Sequence, residues 1–181
     1  MIVIVMGVSG SGKSFFAEKL AAATGWPFAE GDDYHSAANK AKMHSGIPLT
    51  DADRAPWLES LHQVLLGWHA RGGSGILTCS ALKAAYREQL TTGIPETRFV
   101  WLDPPQAVLE ERLAHRPGHF MSAALLDSQL ATLEPPTGAL RLDGSEPIED
   151  VIQKILNWAE LESTESTESP NPHLRSFHPF K

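Results

Sequence analysis

A glycine-rich loop near the start of the sequence carries the residues with the clearest chemistry. Residues 7–14 read Gly-Val-Ser-Gly-Ser-Gly-Lys-Ser, which fits the pattern G-x-x-x-x-G-K-[ST] of loops that bind nucleotide phosphates. Glycines let the backbone wrap closely around phosphate oxygens, and the N–H groups at a helix start attract the anion. Lys13 is expected to reach the β- and γ-phosphates, and the Ser14 hydroxyl to bind Mg²⁺. The expected nucleotide-binding residues are Gly7, Val8, Ser9, Gly10, Ser11, Gly12, Lys13 and Ser14.

The segments on either side of this phosphate loop decide whether the motif is real. Residues 2–6 form a continuous apolar run, which is typical of a strand buried on both faces. Residues 14–24 have the pattern of a helix that ends at Gly25. A glycine-rich turn can match the motif by chance, but the strand before it and the helix after it favour a phosphate site.

Two adjacent aspartates follow a short segment that reads as a second strand. In the sequence Glu-Gly-Asp-Asp-Tyr-His at 30–35, one of Asp32 and Asp33 can hold Mg²⁺ through water. The other can accept the proton of an attacking hydroxyl, and the sequence does not decide between them. A pair of carboxylates favours a hydroxyl acceptor over a nucleoside monophosphate, whose phosphate it would repel. The alternative is a solvated turn in which one aspartate caps the next helix, and the local pattern favours this equally.

Cations further along the chain are candidates to bind a negative group on the acceptor. Arg54 offers the fork that pairs with a carboxylate, and Lys42 is a weaker candidate. After the third predicted strand, Ser80 leaves room for a substrate, and Lys83 or Arg87 can meet an anionic group. The alternative for each cation is an ordinary solvated surface charge.

The histidines and the cysteine predict neither a zinc site nor a nucleophile. His35 and His44 lack the spacing of metal ligands, and no cysteine accompanies them. Cys79 is the only cysteine, and we interpret it as a small buried residue.

A basic segment at residues 112–121 contains a proline and a glycine that break a helical pattern. This arrangement is typical of a lid, about residues 113–124, that closes over ATP and brings an arginine to the transferring phosphoryl group. Arg116 lies at the break and is expected to be that arginine. Arg112 is the second candidate and is also expected to bind the nucleotide. The alternative is a basic turn between two helices.

The elements that must position these residues alternate between strand and helix. Further strands are predicted at residues 27–30, 75–79, 98–102 and 139–142. Leucines recur at helical spacing between them, Asp103-Pro104 is predicted to open one helix, and Pro147 to start the last. This order predicts a P-loop NTPase fold, with three layers α/β/α, a five-stranded parallel sheet and a small mobile lid. Ligands in such folds bind at the carboxyl ends of the strands.

Composition limits the possible partners. The chain has 181 residues and a formal net charge of −7, which disfavours nucleic acids and anionic membranes as partners. One cysteine allows no internal disulfide, which is typical of the cytoplasm. We expect one kinase domain over residues 1–161 and, because the Glu-Ser-Thr repeats are polar and poor in aliphatic residues, a disordered tail over residues 162–181.

Several motifs together resemble gluconokinases of the short, single-domain type. The most specific are Asp-Asp-x-His at 32–35, Asp-Arg-x-Pro-Trp at 53–57 and Gly-His-Phe-Met at 118–121. The resemblance runs from residue 2 to about residue 160, and Pro117 and the tail depart from the family pattern. The matching segments are residues 7–14, 30–35, 39, 42–43, 46, 48–49, 51, 53–54, 56–58, 79–83, 86–87, 116, 118–121, 128–129 and 133–135.

This resemblance implies phosphorylation of D-gluconate at its 6-hydroxyl by ATP and Mg²⁺, and a homodimer. Our hypothesis is that Asp33 aligns the hydroxyl while Arg54, helped by Lys83 or Arg87, holds the carboxylate end. The expected acceptor-site residues are Asp32, Asp33, His35, Lys42, Arg54, Ser80, Lys83, Arg87 and His119. The alternatives are a shikimate or nucleoside monophosphate kinase, a nucleotide switch, and a module that binds ATP without consuming it.

Overall fold

Five parallel strands form a single sheet. The computed structural model describes residues 1–115, 123–144 and 146–165. The strands are β1 (Ile2–Met6), β2 (Phe28–Glu30), β3 (Gly75–Thr78), β4 (Thr97–Leu102) and β5 (Leu140–Leu142). Their order across the sheet is β2-β3-β1-β4-β5, and every neighbouring pair is parallel. This confirms the predicted α/β fold of the P-loop class.

Helices connect these strands, and one short 3₁₀ turn, Gly31–Tyr34, follows β2. The helices are α1 (Lys13–Thr24), α2 (Ala37–His44), α3 (Asp51–Ala70), α4 (Ala84–Thr91), α5 (Gln106–Ala114), α6 (Ala123–Thr132) and α7 (Ile148–Glu165). Helix α1 ends at Gly25 in the left-handed conformation, as the sequence predicts.

The central strand β1 is buried along its whole length, so the sheet is covered on both faces. On one face Ile4 and Met6 belong to a core cluster with Leu61 and Leu65, which lie on the predicted apolar stripe of α3. A second cluster, which includes Val8 and residues of α5 and α6, lies beside the phosphate loop. The phosphate loop therefore begins at the end of a fully buried central strand.

The predicted start of α5 is wrong. Asp103 and Pro104 precede the helix, whose cap is Pro105 and whose first residue is Gln106. A residue before a proline is held out of the helical conformation, and Pro105 has this effect on Pro104. Asp103 instead accepts hydrogen bonds from Nε and Nη2 of Arg141, at 2.8 and 2.6 Å.

The two aspartates after β2 do not cap α2. The cap is Ser36, whose hydroxyl accepts the backbone N–H of Asn39 at 3.1 Å. Asp32 and Asp33 lie in the 3₁₀ turn, and both are exposed. The interpretation of either residue as a helix cap is therefore wrong, and both carboxylates are available for chemistry.

Helix α7 belongs to a second unit of the chain, residues 148–181. It follows Pro147, as predicted, and it extends to Glu165, past the boundary expected for the tail at residue 162. Residues 166–181 lie outside the described residues. Within the described ranges, none of the helices has the length and apolar character needed to cross a membrane.

A capping box fixes the start of α3, the helix that carries Arg54. Asp53 N–H donates to the Thr50 hydroxyl at 3.2 Å, and Thr50 N–H donates to the Asp53 carboxylate at 2.9 Å. Lys42 of α2 adds an ion pair to the same carboxylate at 2.7 Å. The hydrogen bond from Lys42 and those from Thr50 lower the pKa of Asp53 from 3.8 to about 2.

Asp53→Asn tests this contribution to stability. A carboxylate whose pKa is lowered by folding stabilises the native state above its unfolded pKa, and loses that contribution as the pH falls through its folded pKa. The variant should therefore be less stable than wild type above pH 3.8, and the difference should disappear as the pH falls through about 2. Urea unfolding at a series of pH values measures it. Lys42→Met should remove part of the same pH dependence, and a difference that stays constant over this range would contradict the assignment.

Candidate active site

The carboxyl ends of β1, β2 and β3 open into a cavity of about 370 Å³. Its lining residues are Ser9, Lys13, Asp32, Asp33, His35, Lys40, Met43, His44, Ile47, Pro48, Leu49, Arg54, Trp57, Ser80, Leu82, Leu125, Ser128, Gln129 and Thr132. The structure thus brings the phosphate loop, the aspartate pair and Arg54 to the same space. This is the arrangement expected for a phosphoryl donor and acceptor that must meet.

The phosphate loop has a backbone that requires glycine. Gly7 has a φ of +143°, and a Cβ at this position would lie 2.5 Å from the Leu102 carbonyl oxygen. Lys13 Nζ donates to the Val8 carbonyl at 2.9 Å, so the lysine folds back over the loop. Within the described residues, the buried Ser11 hydroxyl has no hydrogen-bond partner in the protein. A polyphosphate fits this loop because its oxygens accept from such hydroxyl and N–H groups.

Two side chains from other helices contact the phosphate loop. Arg112 of α5 lies with Nη1 3.4 Å from the Gly10 carbonyl oxygen and 3.3 Å from that of Ser11. Gln129 of α6 accepts the Ser9 N–H at 2.7 Å, and its Nε2 donates to the Ser9 hydroxyl at 3.2 Å. Gln129 was not among the predicted site residues, because only the fold brings α6 back to the loop.

The turn that carries Asp32 and Asp33 is held through the backbone of Gly31. Gly31 N–H donates to the Thr78 hydroxyl at 3.0 Å, and Trp57 Nε1 donates to the Gly31 carbonyl at 2.7 Å. A Cβ on Gly31 would lie 2.0 Å from the Thr78 carbonyl oxygen, so only glycine fits. These contacts fix the turn while both carboxylates stay exposed to the cavity.

His35 presents a neutral ring to the cavity. Burial lowers its pKa, although the nearby Asp32 carboxylate opposes the shift. The ring stacks on Trp57 with a centroid distance of 4.1 Å. Asn39 Nδ2 donates to the Asp53 carbonyl at 2.8 Å, which orients the amide so that the same Nδ2 faces His35 Nδ1 at 3.4 Å. Nδ1 therefore accepts, and the proton of the neutral ring resides on Nε2.

The predicted cations separate into two groups. Arg54 lines the cavity, whereas Lys42, Lys83 and Arg87 lie outside the cavity lining. Lys83 pairs with the Asp51 carboxylate at 2.9 and 3.0 Å. Arg87 donates to the carbonyls of residues 81 and 82 at 2.9 and 3.2 Å and so supports the loop after β3. The cations that lie apart from the cavity thus contact the protein itself.

Three further residues singled out in the sequence do not contribute to the described cavity. Arg116 and His119, with most of the predicted lid, lie outside the described residues. Cys79 is buried as predicted, and desolvation raises the pKa of its thiol to about 12, so it is no nucleophile.

No cluster of three or more metal-binding side chains occurs in the part of the chain that the structure describes. A magnesium ion bound with a nucleotide needs fewer protein ligands. Ser14 lies at the start of α1, and Asp32 lines the cavity.

Comparison with known proteins assigns the family. A family model described as an AAA domain matches residues 2–136. A gluconokinase from Gluconobacter oxydans is 46% identical over 163 residues, which cover 88% of this chain and 92% of that protein. The chain belongs to the gluconokinase family. A probable gluconokinase from Xenopus tropicalis is 44% identical over an alignment of 173 residues. The match covers 86% of this chain and 91% of that protein.

Structural similarity to the gluconokinase family is equally broad. The crystal structure of a gluconokinase from Sinorhizobium meliloti is 42% identical to this chain, with a TM-score of 0.79. The match covers 93% of this chain and 97% of the chain in that crystal structure. The resemblance inferred from the sequence motifs is thereby confirmed, and the chain is a kinase. Trp57 lines the cavity and holds the aspartate turn, a role that the motifs alone did not reveal.

Gly31→Ala tests whether the aspartate turn must be held where it is. The added Cβ would meet the Thr78 carbonyl oxygen at 2.0 Å, so the turn must move. A displacement of about 1 Å at a reacting group costs on the order of 100-fold in rate, and we expect kcat to fall by about this factor. Gly67→Ala in α3 is the matched control, because its Cβ would lie an ordinary 3.7 Å from Arg71. A normal kcat for Gly31→Ala would show that the turn tolerates movement.

Proposed function

We propose that this chain transfers the γ-phosphoryl group of ATP to the 6-hydroxyl of D-gluconate, which yields 6-phosphogluconate and ADP. The observation that carries the proposal is the shared cavity lined by Lys13, the aspartate pair and Arg54. Gluconate has a primary hydroxyl at one end and a carboxylate at the other. The gluconokinases among the relatives support the same substrate.

The phosphate loop is the proposed ATP site. Lys13 neutralises negative charge that develops on the transferring phosphoryl group, and the Ser11 hydroxyl donates to a phosphate oxygen. Ser14, with Asp32 through water, would hold Mg²⁺, which supplies charge neutralisation at the phosphates when bound. Arg112 lies against the loop at 3.3 Å and completes its cationic side. We keep Arg116 as the proposed arginine of the lid, residues 113–124.

The aspartate turn and Arg54 form the proposed acceptor site. Asp33 accepts the proton of the 6-hydroxyl while the new O–P bond forms and the bond from the γ-phosphorus to the bridging oxygen of ADP breaks. The neutral His35 ring donates from Nε2 to a substrate hydroxyl. Arg54 pairs with the gluconate carboxylate, because a guanidinium matches a carboxylate in shape and charge. Ser80 and His119 complete the proposed acceptor residues.

The resemblance to gluconokinases also supports proposals about the setting of the reaction. We propose a homodimer, a cytoplasmic location and a role in gluconate use that leads into the pentose phosphate pathway. A single cysteine with a buried thiol agrees with a reducing compartment. The domain division at residue 161, with a disordered tail beyond it, also remains a proposal.

An acceptor panel tests the proposed reaction directly. ADP release with Mg-ATP is measured for gluconate, other sugar acids, shikimate and nucleoside monophosphates. We expect turnover with gluconate and none with shikimate or the monophosphates. Lys13→Ala protein prepared in the same way controls for contaminating kinases. Turnover with another acceptor alone, or ATP binding without turnover, would overturn the assignment of the substrate.

Asp33→Asn tests the role of the base. Removal of a general base lowers rate by about 100- to 10,000-fold, so kcat should fall within this range while the KM for ATP changes little. Asp32→Asn should instead raise the Mg²⁺ concentration needed for half-maximal rate. Asp127→Asn, an exposed carboxylate of α6 outside the cavity lining, is the matched control. The opposite result for the two variants would exchange their roles.

A further inference from the structure

A series of hydrogen-bonded side chains leads from Arg54 away from the cavity. It runs from Arg54 through Tyr86 to Asp51, and Lys83 joins at its far end. We propose that Tyr86 is a positioning residue that sets the affinity of Arg54 for the carboxylate of the acceptor. This inference rests on the proposed function, since it assumes that Arg54 binds that carboxylate.

The direction of the hydrogen bonds follows from the donors available. A tyrosine hydroxyl has one proton, and Tyr86 donates it to the Asp51 carboxylate in a short hydrogen bond. Its oxygen can therefore only accept from Arg54, whose Nη1 lies 3.3 Å away. A guanidinium has five N–H groups, so Arg54 can donate to Tyr86 and to a substrate carboxylate at the same time.

Lys83, at the far end of this series of hydrogen bonds, keeps their direction fixed. Lys83 Nζ donates to both oxygens of Asp51, at 3.0 and 2.9 Å. The hydrogen bonds from Tyr86 and Lys83 lower the pKa of Asp51, while burial raises the pKa of Tyr86. Asp51 thus stays ionised and Tyr86 stays protonated at neutral pH, so the hydroxyl cannot reverse its donor and acceptor roles.

Packing restricts Arg54 further. The Tyr86 side chain is buried, and the guanidinium carbon of Arg54 lies 5.7 Å from the centroid of its ring. The Arg54 side chain is 19% exposed. Asp51 and Arg54 lie one turn apart at the start of α3, and their oxygen and nitrogen atoms are 3.7 Å apart. A long flexible side chain is therefore held in place before substrate binds, which lowers the entropy lost on binding.

Tyr86→Phe removes the hydroxyl and keeps the ring. We expect the KM for gluconate to rise by about 3- to 30-fold, as for loss of one hydrogen bond to a charged group. Because Tyr86 acts on substrate binding and not on the reacting atoms, kcat and the KM for ATP should stay within about twofold of wild type. Ser60→Ala is the matched control, since that hydroxyl bonds only within α3, to the Pro56 carbonyl, on the exposed side.

A double-mutant cycle shows whether Tyr86 acts through Arg54. If it does, Tyr86→Phe should raise the KM for gluconate in wild type and have no effect in Arg54→Ala. Effects that multiply in the double variant would mean that Tyr86 supports the fold in general, and the inference would be overturned. Thermal unfolding of each variant confirms that the proteins being compared are folded.

The cycle also separates this inference from the function on which it rests. Absence of gluconate phosphorylation by wild type would refute the proposed function. Gluconate turnover with an unchanged KM in Arg54→Ala would refute the role of Arg54 and the inference with it, but not the reaction. A raised KM in Arg54→Ala and a normal KM in Tyr86→Phe would refute the inference alone.

Discussion

The parallel register of three neighbouring strands determines which loops meet at the carboxyl edge of the sheet. Val5 of β1 pairs with Thr78 of β3, and Thr78 pairs with Glu30 of β2, so these residues form one row across the sheet. The phosphate loop, the aspartate turn and Ser80 all begin within two residues of this row. Thr78 also anchors the row through its hydroxyl, which bonds Glu30 and the next residue of the turn. A slip of one residue in either pairing would reverse the faces of the strand and shift the phosphate loop relative to the aspartate turn.

Most of the cations predicted for the site contact other parts of the protein. Lys42, Lys83 and Arg87 stabilise the segments that frame the cavity, through Asp53, Asp51 and the loop after β3. Arg54 lies among these segments and also lines the cavity. The cavity lining therefore combines two carboxylates, Asp32 and Asp33, with the guanidinium of Arg54.

Much of the fold and part of the site could be predicted from the sequence, because those features depend on local patterns. The phosphate loop lies in eight consecutive residues, and the central strand is a short apolar run. The local pattern predicts that α5 starts at Asp103-Pro104, but a second proline, Pro105, shifts the start to Gln106. Sequence spacing could not show that Lys83 has a partner 32 residues away, or that Gln129 returns to Ser9 across 120 residues. Such contacts exist only once the sheet has brought distant segments together.

The burial of Cys79 has a consequence for how the enzyme meets its surroundings. The residue directly follows β3, its exposed fraction is 1%, and the pKa of its thiol is about 12. Thiolate is the species that reacts with oxidants and alkylating agents, and at neutral pH it is almost absent from the folded protein. The only cysteine of the chain directly precedes Ser80, which lines the cavity, yet its own thiol is buried. We therefore expect this thiol to react slowly with oxidants and alkylating agents while the protein is folded.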